Sequence, residues 1–405
     1  MSILVQKFGG SSLSDLERLE SVADKVVSAK ESGHDMVVVV SAMGDSTDEL
    51  LDMARELSGA PARRELDMLL SVGERISMAL LSIAIQERGH EAVSLTGSQC
   101  GIITTQNHSN ARIMDVRPFR VQDELNQGKI VIVAGYQGSS YRREVTTLGR
   151  GGSDTTAVAL AAALQAEACE IYSDVEGVFS ADPRVVLSAS QLLELSHDEM
   201  LEMARSGARV LNEQAVEFAR RSKIALYAKK THDAQTSGTV IRPDGFHDRA
   251  ERAERGLPAV AVSHIDDGVW VTATEHSDRV MDLVGELQAI VCDWTPGEEC
   301  RVFLDAENIY DLEALIAEIG QVGGTVERCA LVSVVGQGIG QRPQWPLTGR
   351  DVLLDQQIEP MHLSINSTRL SWVVHSDDVS AAANALHDAF AADTLDVGDE
   401  PQHVL

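Results

Sequence analysis

The run Met36-Val37-Val38-Val39-Val40 constrains this chain most. Five consecutive apolar residues cannot form a half-wet strand, because successive side chains point to opposite faces. Such a strand is buried on both faces and belongs to a parallel sheet covered by helices. Ile130-Val131-Ile132-Val133 repeats the pattern, and Ile3 to Lys7, Val93-Ser94-Leu95 and Cys169 to Ser173 read as further strands. Helical segments alternate with them. Residues 14–32 place Leu16, Leu19, Val22, Val26 and Val27 at helical spacing and stop at Gly33. Helices over 47–57, about 63–88 and Ala157 to Gln165 complete the alternation, which predicts an α/β fold with a mostly parallel central sheet.

The texture changes after about residue 240. Asp233 to Gly238 is turn-rich, and Pro243 to Pro258 is dense in charge and Gly, so it reads as a linker. Beyond it the elements shorten. Strands are expected at 259–263, 269–274, 289–293 and 300–304, with helices at 277–288 and 310–320. A second round follows: strand 330–335, a helix near 350–357, strands 361–366 and 369–375, and helix 378–390. Two rounds of this kind predict a duplicated, ferredoxin-like α+β module.

Charge excludes one class of partner. With 34 basic against 62 acidic residues the net charge is −28, and none of the seven lysines lies beyond Lys230. Binding a polyanion needs clustered Lys and Arg, so no nucleic-acid partner is expected. No apolar run approaches ~20 residues, and the N-terminus has no signal-peptide order, so no membrane partner is expected and a cytoplasmic location is. The five Cys have no CxxC spacing and read as reduced thiols.

Three Gly-rich or strand-terminal segments can carry chemistry. Lys7-Phe8-Gly9-Gly10-Ser11-Ser12 follows the first strand. Its glycines allow backbone N–H groups to approach an anion, and Lys7 can neutralise a phosphoryl group. A tight turn with an exposed lysine is the bland alternative. Thr147-Leu148-Gly149-Arg150-Gly151-Gly152-Ser153-Asp154 opens the Ala-rich helix. Helix capping by Ser153 or Asp154 does not require the Arg-Gly-Gly, and an arginine there suits a carboxylate or phosphate. Ser173 and Asp174 end a strand, where ligands bind in open α/β sheets, followed by Phe179, Asp182, Pro183 and Arg184. Glu74 lies within an apolar helix, either on its wet face or aimed at a cation. The histidines show no metal-ligand spacing.

Together these segments resemble the aspartate kinases of the amino acid kinase superfamily. The resemblance covers roughly residues 3–240, adding Val39-Val40-Ser41-Ala42-Met43-Gly44, Gly73-Glu74-Arg75, Gly97-Ser98-Gln99 and Ala111-Arg112-Ile113 to the motifs above. It implies an amino acid kinase-like sandwich over 1–242, a linker at 243–258, ACT regulatory modules at 259–329 and 330–395, and a tail at 396–405. It implies transfer of the γ-phosphoryl of ATP, carried with Mg2+, to the side-chain carboxylate of L-aspartate. Lys7 and Asp154 would be catalytic. Ser41, Thr47, Glu74, Arg150, Gly151, Gly152 and Ser153 would bind aspartate, with Arg150 on its α-carboxylate and Glu74 on its α-ammonium. Gly9, Gly10, Ser173, Asp174, Phe179, Asp182, Arg184 and Arg209 would bind the nucleotide, and no metal would be held by the protein alone. Self-association through the ACT modules is implied, at strand edges near 269–274 and 369–375.

The chain departs from the family pattern. Arg209 stands where Lys is usual, Asn212-Glu213 where His-Pro is common, and Phe179 where Tyr is usual. The loop Thr274 to Asp278 is short where effectors bind in regulated members. A specialised paralogue with altered feedback, or a non-catalytic regulatory subunit, are the alternatives. Intact Lys7, Arg150 and Asp154 argue against the second.

Overall fold

Eight strands form the central sheet in a computed structural model of the chain, which describes residues 2–149, 151–232, 238–243, 259–285, 287–309 and 311–391. Their order is Glu194–Ser196, Thr239–Arg242, Ala225–Lys230, Ala168–Ser173, Ile3–Phe8, Asp35–Val40, Ile130–Ala134 and Ala92–Leu95. Every neighbouring pair is parallel except Ala225–Lys230 with Thr239–Arg242. Met36 to Val40 are all fully buried, as a strand covered on both faces must be. Phe8, Val38, Val40 and Ile132 pack with Leu19, Val22 and Val26 of helix Leu16–Glu31, and with Met78, Leu81 and Ile85 of helix Val72–Glu87. Lys7 points to the opposite face, where helix Gly152–Leu164 lies. That helix is apolar on nearly every side and is buried accordingly.

The carboxyl ends of the parallel strands share one edge, and their loops are stitched there. Gly9 N–H donates to Tyr172 O at 3.1 Å, Ser41 N–H to Phe8 O at 3.1 Å and Gly135 N–H to Val40 O at 2.9 Å. A smaller sheet, missed in the sequence, joins Ile113–Val116, Ile102–Thr104, Gln137–Ser140 and Val145–Thr147 in that order. Its strands have three or four residues, too few to show a period. The expected helix over 63–88 is two helices, Arg63–Leu70 and Val72–Glu87, meeting at Ser71. By length and composition Arg63–Glu87 is apolar enough to cross a membrane, but half of its most apolar stretch is buried inside the fold.

The chain divides into two units. The first comprises Met1–Val178, Gln191–Ala204 and Arg209–Phe246, and the second Phe179–Ser190, Arg205–Ala208 and His247–Leu405. The expected linker, except Pro243, and the expected tail lie outside the described residues, as do 233–237 of the turn-rich segment.

The second unit is built on one antiparallel six-stranded sheet, ordered Ala289–Thr295, Glu299–Asp305, Ala261–Ala273, Thr325–Val335, Arg369–Val374, His362–Ile365. The strands expected at 259–263 and 269–274 are one continuous strand with a register shift between Ile265 and Gly268. A Cβ at Gly268 would lie 2.1 Å from the Phe303 ring, so the missing side chain lets the strand ride over that ring unbroken. The residues expected at strand edges, near 269–274 and 369–375, are interior instead. The edges are Ala289–Thr295 and His362–Ile365.

Two βαββαβ cores share the long strands. Val269, Val271 and Leu304 pack with Val280 and Val284 of helix Ser277–Val284 and Ile319 of helix Leu312–Gln321. Val262, Val332, Val334 and Trp372 pack with Leu353 of helix Gln344–Asp355 and with Leu386 and Phe390 of helix Val379–Phe390. Residues 261–265 thus supply the outer strand of the second core, although they precede the first. The helix expected near 350–357 starts six residues earlier.

Candidate active site

Lys7 and Asp154 meet in the structure. Lys7 Nζ is 2.7 Å from Asp154 Oδ1, and both side chains are only 11% exposed. Asp154 lies in the first turn of helix Gly152–Leu164, where the helix dipole favours a negative charge. A Cβ at Gly9 would lie 3.5 Å from Lys7 Nζ, in ordinary van der Waals contact, so this loop runs directly beside the ammonium. At Gly10 a Cβ would lie 2.9 Å from Ala42 O, which closes this loop on the Ser41–Gly44 loop; Gly44 N–H donates to Gly10 O at 3.1 Å. Ser41 is half-buried in that second loop, and Thr47 is half-buried in the first turn of helix Ser46–Leu57.

Glu74 is buried, not on the wet face of its helix. Gly73 allows this, since a Cβ there would stand 2.7 Å from Ala42 Cβ. The close approach brings Ala42 N–H to Glu74 Oε1 at 3.2 Å, while Oε2 is buried without a partner. Burial pushes the Glu74 carboxyl up to about 7, against the smaller pull of the Glu74 and Ala42 N–H groups.

The turn between strand Val145–Thr147 and helix Gly152–Leu164 needs left-handed backbone at Gly149 (φ +76°) and Gly151 (φ +67°). Asn212 crowds Gly151; a Cβ there would be 2.6 Å from it. Asn212 also caps helix Glu213–Ser222 through Gln214 N–H and accepts from Thr155 Oγ at 3.1 Å. Gly152 and Ser153 are buried at the helix start. Arg150 lies outside the described residues. Gly135 escaped the sequence reading. A Cβ there would be 2.6 Å from Ser153 Oγ and 2.9 Å from Val40 O, and its signal was a glycine directly after a buried strand. Asp67 also escaped; a carboxylate between Leu66 and Leu70 on an apolar helix face was the signal.

The remaining predicted residues divide between the units. Ser173 and Asp174 end strand Ala168–Ser173 in the first unit, Asp174 exposed. Thr231 binds Ser173 O through N–H (2.9 Å) and hydroxyl (3.0 Å). Arg209 is exposed in the first unit. Phe179, Asp182 and Arg184 belong to the second unit. There Arg184 Nη2 pairs with Asp182 Oδ2 at 2.6 Å, and hydrogen bonding from Arg184 holds the Asp182 carboxyl below its usual range.

This geometry places a Lys–Asp pair beside glycine turns at the carboxyl edge of a parallel sheet, where ligands bind in open α/β folds. The family model for the amino acid kinase family matches residues 2–228. An aspartokinase of Mycolicibacterium smegmatis is 42% identical, covering 96% of each chain. One of Geobacillus stearothermophilus is 41% identical over 96% of this chain and 97% of its own. Among solved structures, E. coli aspartokinase III in complex with aspartate and ADP shares the fold at TM-score 0.81 and 23% identity, over 95% of this chain and 99% of its own. An aspartate kinase from Synechocystis is 33% identical at TM-score 0.55, over 98% of this chain and 71% of its own. The chain belongs to the amino acid kinase family and, within it, to the aspartokinases.

Proposed function

We infer that the protein is an ATP-dependent aspartate kinase. It transfers the γ-phosphoryl of ATP to the side-chain carboxylate of L-aspartate, giving 4-phospho-L-aspartate and ADP. The bond from the γ-phosphorus to the β,γ-bridging oxygen breaks, and a bond to a carboxylate oxygen forms. The observation that carries this reading is Glu74, a buried carboxylate with a bare oxygen, at the same sheet edge as the Lys7–Asp154 pair. Phosphoryl transfer needs positioning and charge neutralisation rather than covalent help. Lys7 neutralises the transferring group, and Asp154 holds Lys7 in place. Gly9 and Gly10 give the phosphates access to the backbone. Glu74 takes the α-ammonium, Arg150 the α-carboxylate, and Ser41, Thr47 and Ser153 close the aspartate pocket with Gly151 and Gly152. Ser173, Asp174 and Arg209 of the first unit serve the nucleotide.

Magnesium arrives with ATP on this reading. Asp154 and Asp174 are single carboxylates, and no group of three or more His, Cys, Asp or Glu that could hold a metal stands among the described residues. The ion would screen the phosphate oxygens. Five free cysteines suit a reducing cytoplasm. Self-association through the second unit is supported by its two edge strands, which otherwise offer unpaired backbone.

ADP release with L-aspartate against L-glutamate tests the function. The reading requires turnover with aspartate and at least about a hundredfold lower kcat/KM with glutamate. Equal rates, or no ADP release with aspartate, would refute it.

A further inference from the structure

We propose that Asp67 is a positioning residue that holds the substrate loop and the Glu74 helix in one frame. The proposal rests on the aspartate kinase reading and assigns a part in it to a residue with no other role.

Asp67 is fully buried on helix Arg63–Leu70, flanked by the buried Leu66 and Leu70. A leucine would suit that position for packing, and burying a carboxylate is costly unless its oxygens are filled. They are filled from two remote segments. Oδ1 accepts from Thr147 Oγ at 2.6 Å and from Ser109 N–H at 2.9 Å, and Oδ2 meets His108 Nδ1 at 2.6 Å. Residues 108–109 and Thr147 are themselves tied together, because Ala111 N–H donates to Thr147 O at 2.9 Å. Leu148 N–H then donates to Tyr136 O at 2.9 Å. At the next residue the chain turns left-handed, and Asn110 Oδ1 would stand 3.1 Å from a Cβ on Gly149.

The chain entering the loop is therefore pinned at its last strand residue, and the loop leaves through Asp154, the partner of Lys7. Asp67 is one helix away from Glu74, with Ser71 at the junction. Tyr136 lies within the field of both carboxylates, and both raise its hydroxyl pKa after the larger effect of burial. Glu74 and the turn that starts at Thr147-Leu148-Gly149 are thus referenced to the same pair of helices. Side-chain networks in a low-dielectric interior are rigid when every member is satisfied. Such rigidity holds the Gly149 turn in a fixed relation to the helix that carries Glu74, which is what binding one small amino acid needs.

The test is a pair of substitutions at Thr147, with KM measured for each substrate. Thr147→Val keeps the shape and removes the hydroxyl. It is expected to raise the aspartate KM about tenfold, with the ATP KM held within about twofold. Thr147→Ser restores the donor and should stay within about twofold of the parent for both substrates. Asp67→Asn should exceed Thr147→Val in the same direction. If it fails to fold, the Thr147 pair decides. An unmoved aspartate KM in Thr147→Val, an equal rise for both substrates, or a serine variant no better than valine would overturn the proposal. Glu74→Gln measured alongside separates the two possible failures. An aspartate KM that moves there but not in Thr147→Val removes the Asp67 role alone. One that moves in neither removes the site reading beneath it.

Discussion

The two units bury polar groups in opposite ways. Among the described residues the first buries Lys7, Asp67, Glu74, Glu124, Asp154, His197 and Glu199, whereas of the second only Arg369 and His387 of the basic and acidic types are buried. Those two are satisfied locally: Arg369 Nη2 donates to Ile290 O at 2.9 Å, and His387 Nε2 lies 2.9 Å from Ser180 Oγ. The sheet of the second unit pairs Ser333 with Ser371 at 2.8 Å and Ser263 with Ser206 at 2.6 Å, and packs around Trp372, Phe303 and Phe390. In the first unit most buried carboxylates are also filled. Glu124 has Lys129 and Arg120, Glu199 has the backbone and hydroxyl of Ser196, and Asp67 has three donors. Glu74 differs, with one oxygen buried and bare. The difference teaches where the molecule gives up stability: the second unit is built to pack, the first to meet a ligand. Lifting a buried carboxyl from 4.5 to about 7 corresponds to about 3 kcal/mol held against the folded state at high pH.

The largest test of that contrast removes the charge pair. Lys7→Ala or Asp154→Ala should lower turnover about a thousandfold, a loss of ~4 kcal/mol of transition-state stabilisation, with the protein still folded by its melting curve. Near-parental turnover in either would break the assignment. Next comes the opposite experiment in the second unit. Trp372 is fully buried against Gly349, so Trp372→Ala should cost about 3 kcal/mol or more of stability in denaturant unfolding. The aspartate KM, measured well below the melting temperature, should not change. A changed KM with unchanged stability would reverse the roles given to the two units. Smaller again, Glu74→Gln should raise the aspartate KM by roughly thirtyfold, ~2 kcal/mol, and the ATP KM far less. Equal effects on both substrates would make Glu74 structural.

The smallest effect sharpens the contrast through pH. The folded pKa of Glu74 is raised, so its contribution to stability is fully present below the unfolded value near 4.5 and is lost as pH rises through about 7. The Glu74→Gln variant should lack that decline. Cation binding needs the ionised form, so the parental aspartate KM should climb about tenfold between pH 8 and pH 6. In the variant it should be flat. Matching slopes in parent and variant would assign the titration to another group.

Much of this architecture was legible in the sequence, for reasons that differ by region. Doubly buried strands such as Met36 to Val40 announce themselves because no alternation interrupts them. The Lys7 and Asp154 turns were legible because glycine clusters mark places where backbone must approach something closely. The small sheet was not, because strands of three or four residues carry no period. The joined strand Ala261–Ala273 was not, because a polar His264 to Asp267 stretch over a glycine looks like a turn until Phe303 is seen beneath it. Asp67 and Glu74 show the limit most clearly. A lone carboxylate in an apolar helix reads alike whether it is filled by Thr147 and His108 or left half bare, since the donors lie 41 and 80 residues away.

Proton release on aspartate binding tests the central claim most directly. Calorimetric titration of aspartate at pH 7, in buffers of different ionisation heat, counts the protons exchanged. A Glu74 carboxyl near 7 that receives the α-ammonium must give up about half a proton per aspartate bound, and the Glu74→Gln variant must give up none. Binding with no proton release in the parent, or the same release in both proteins, would contradict the account.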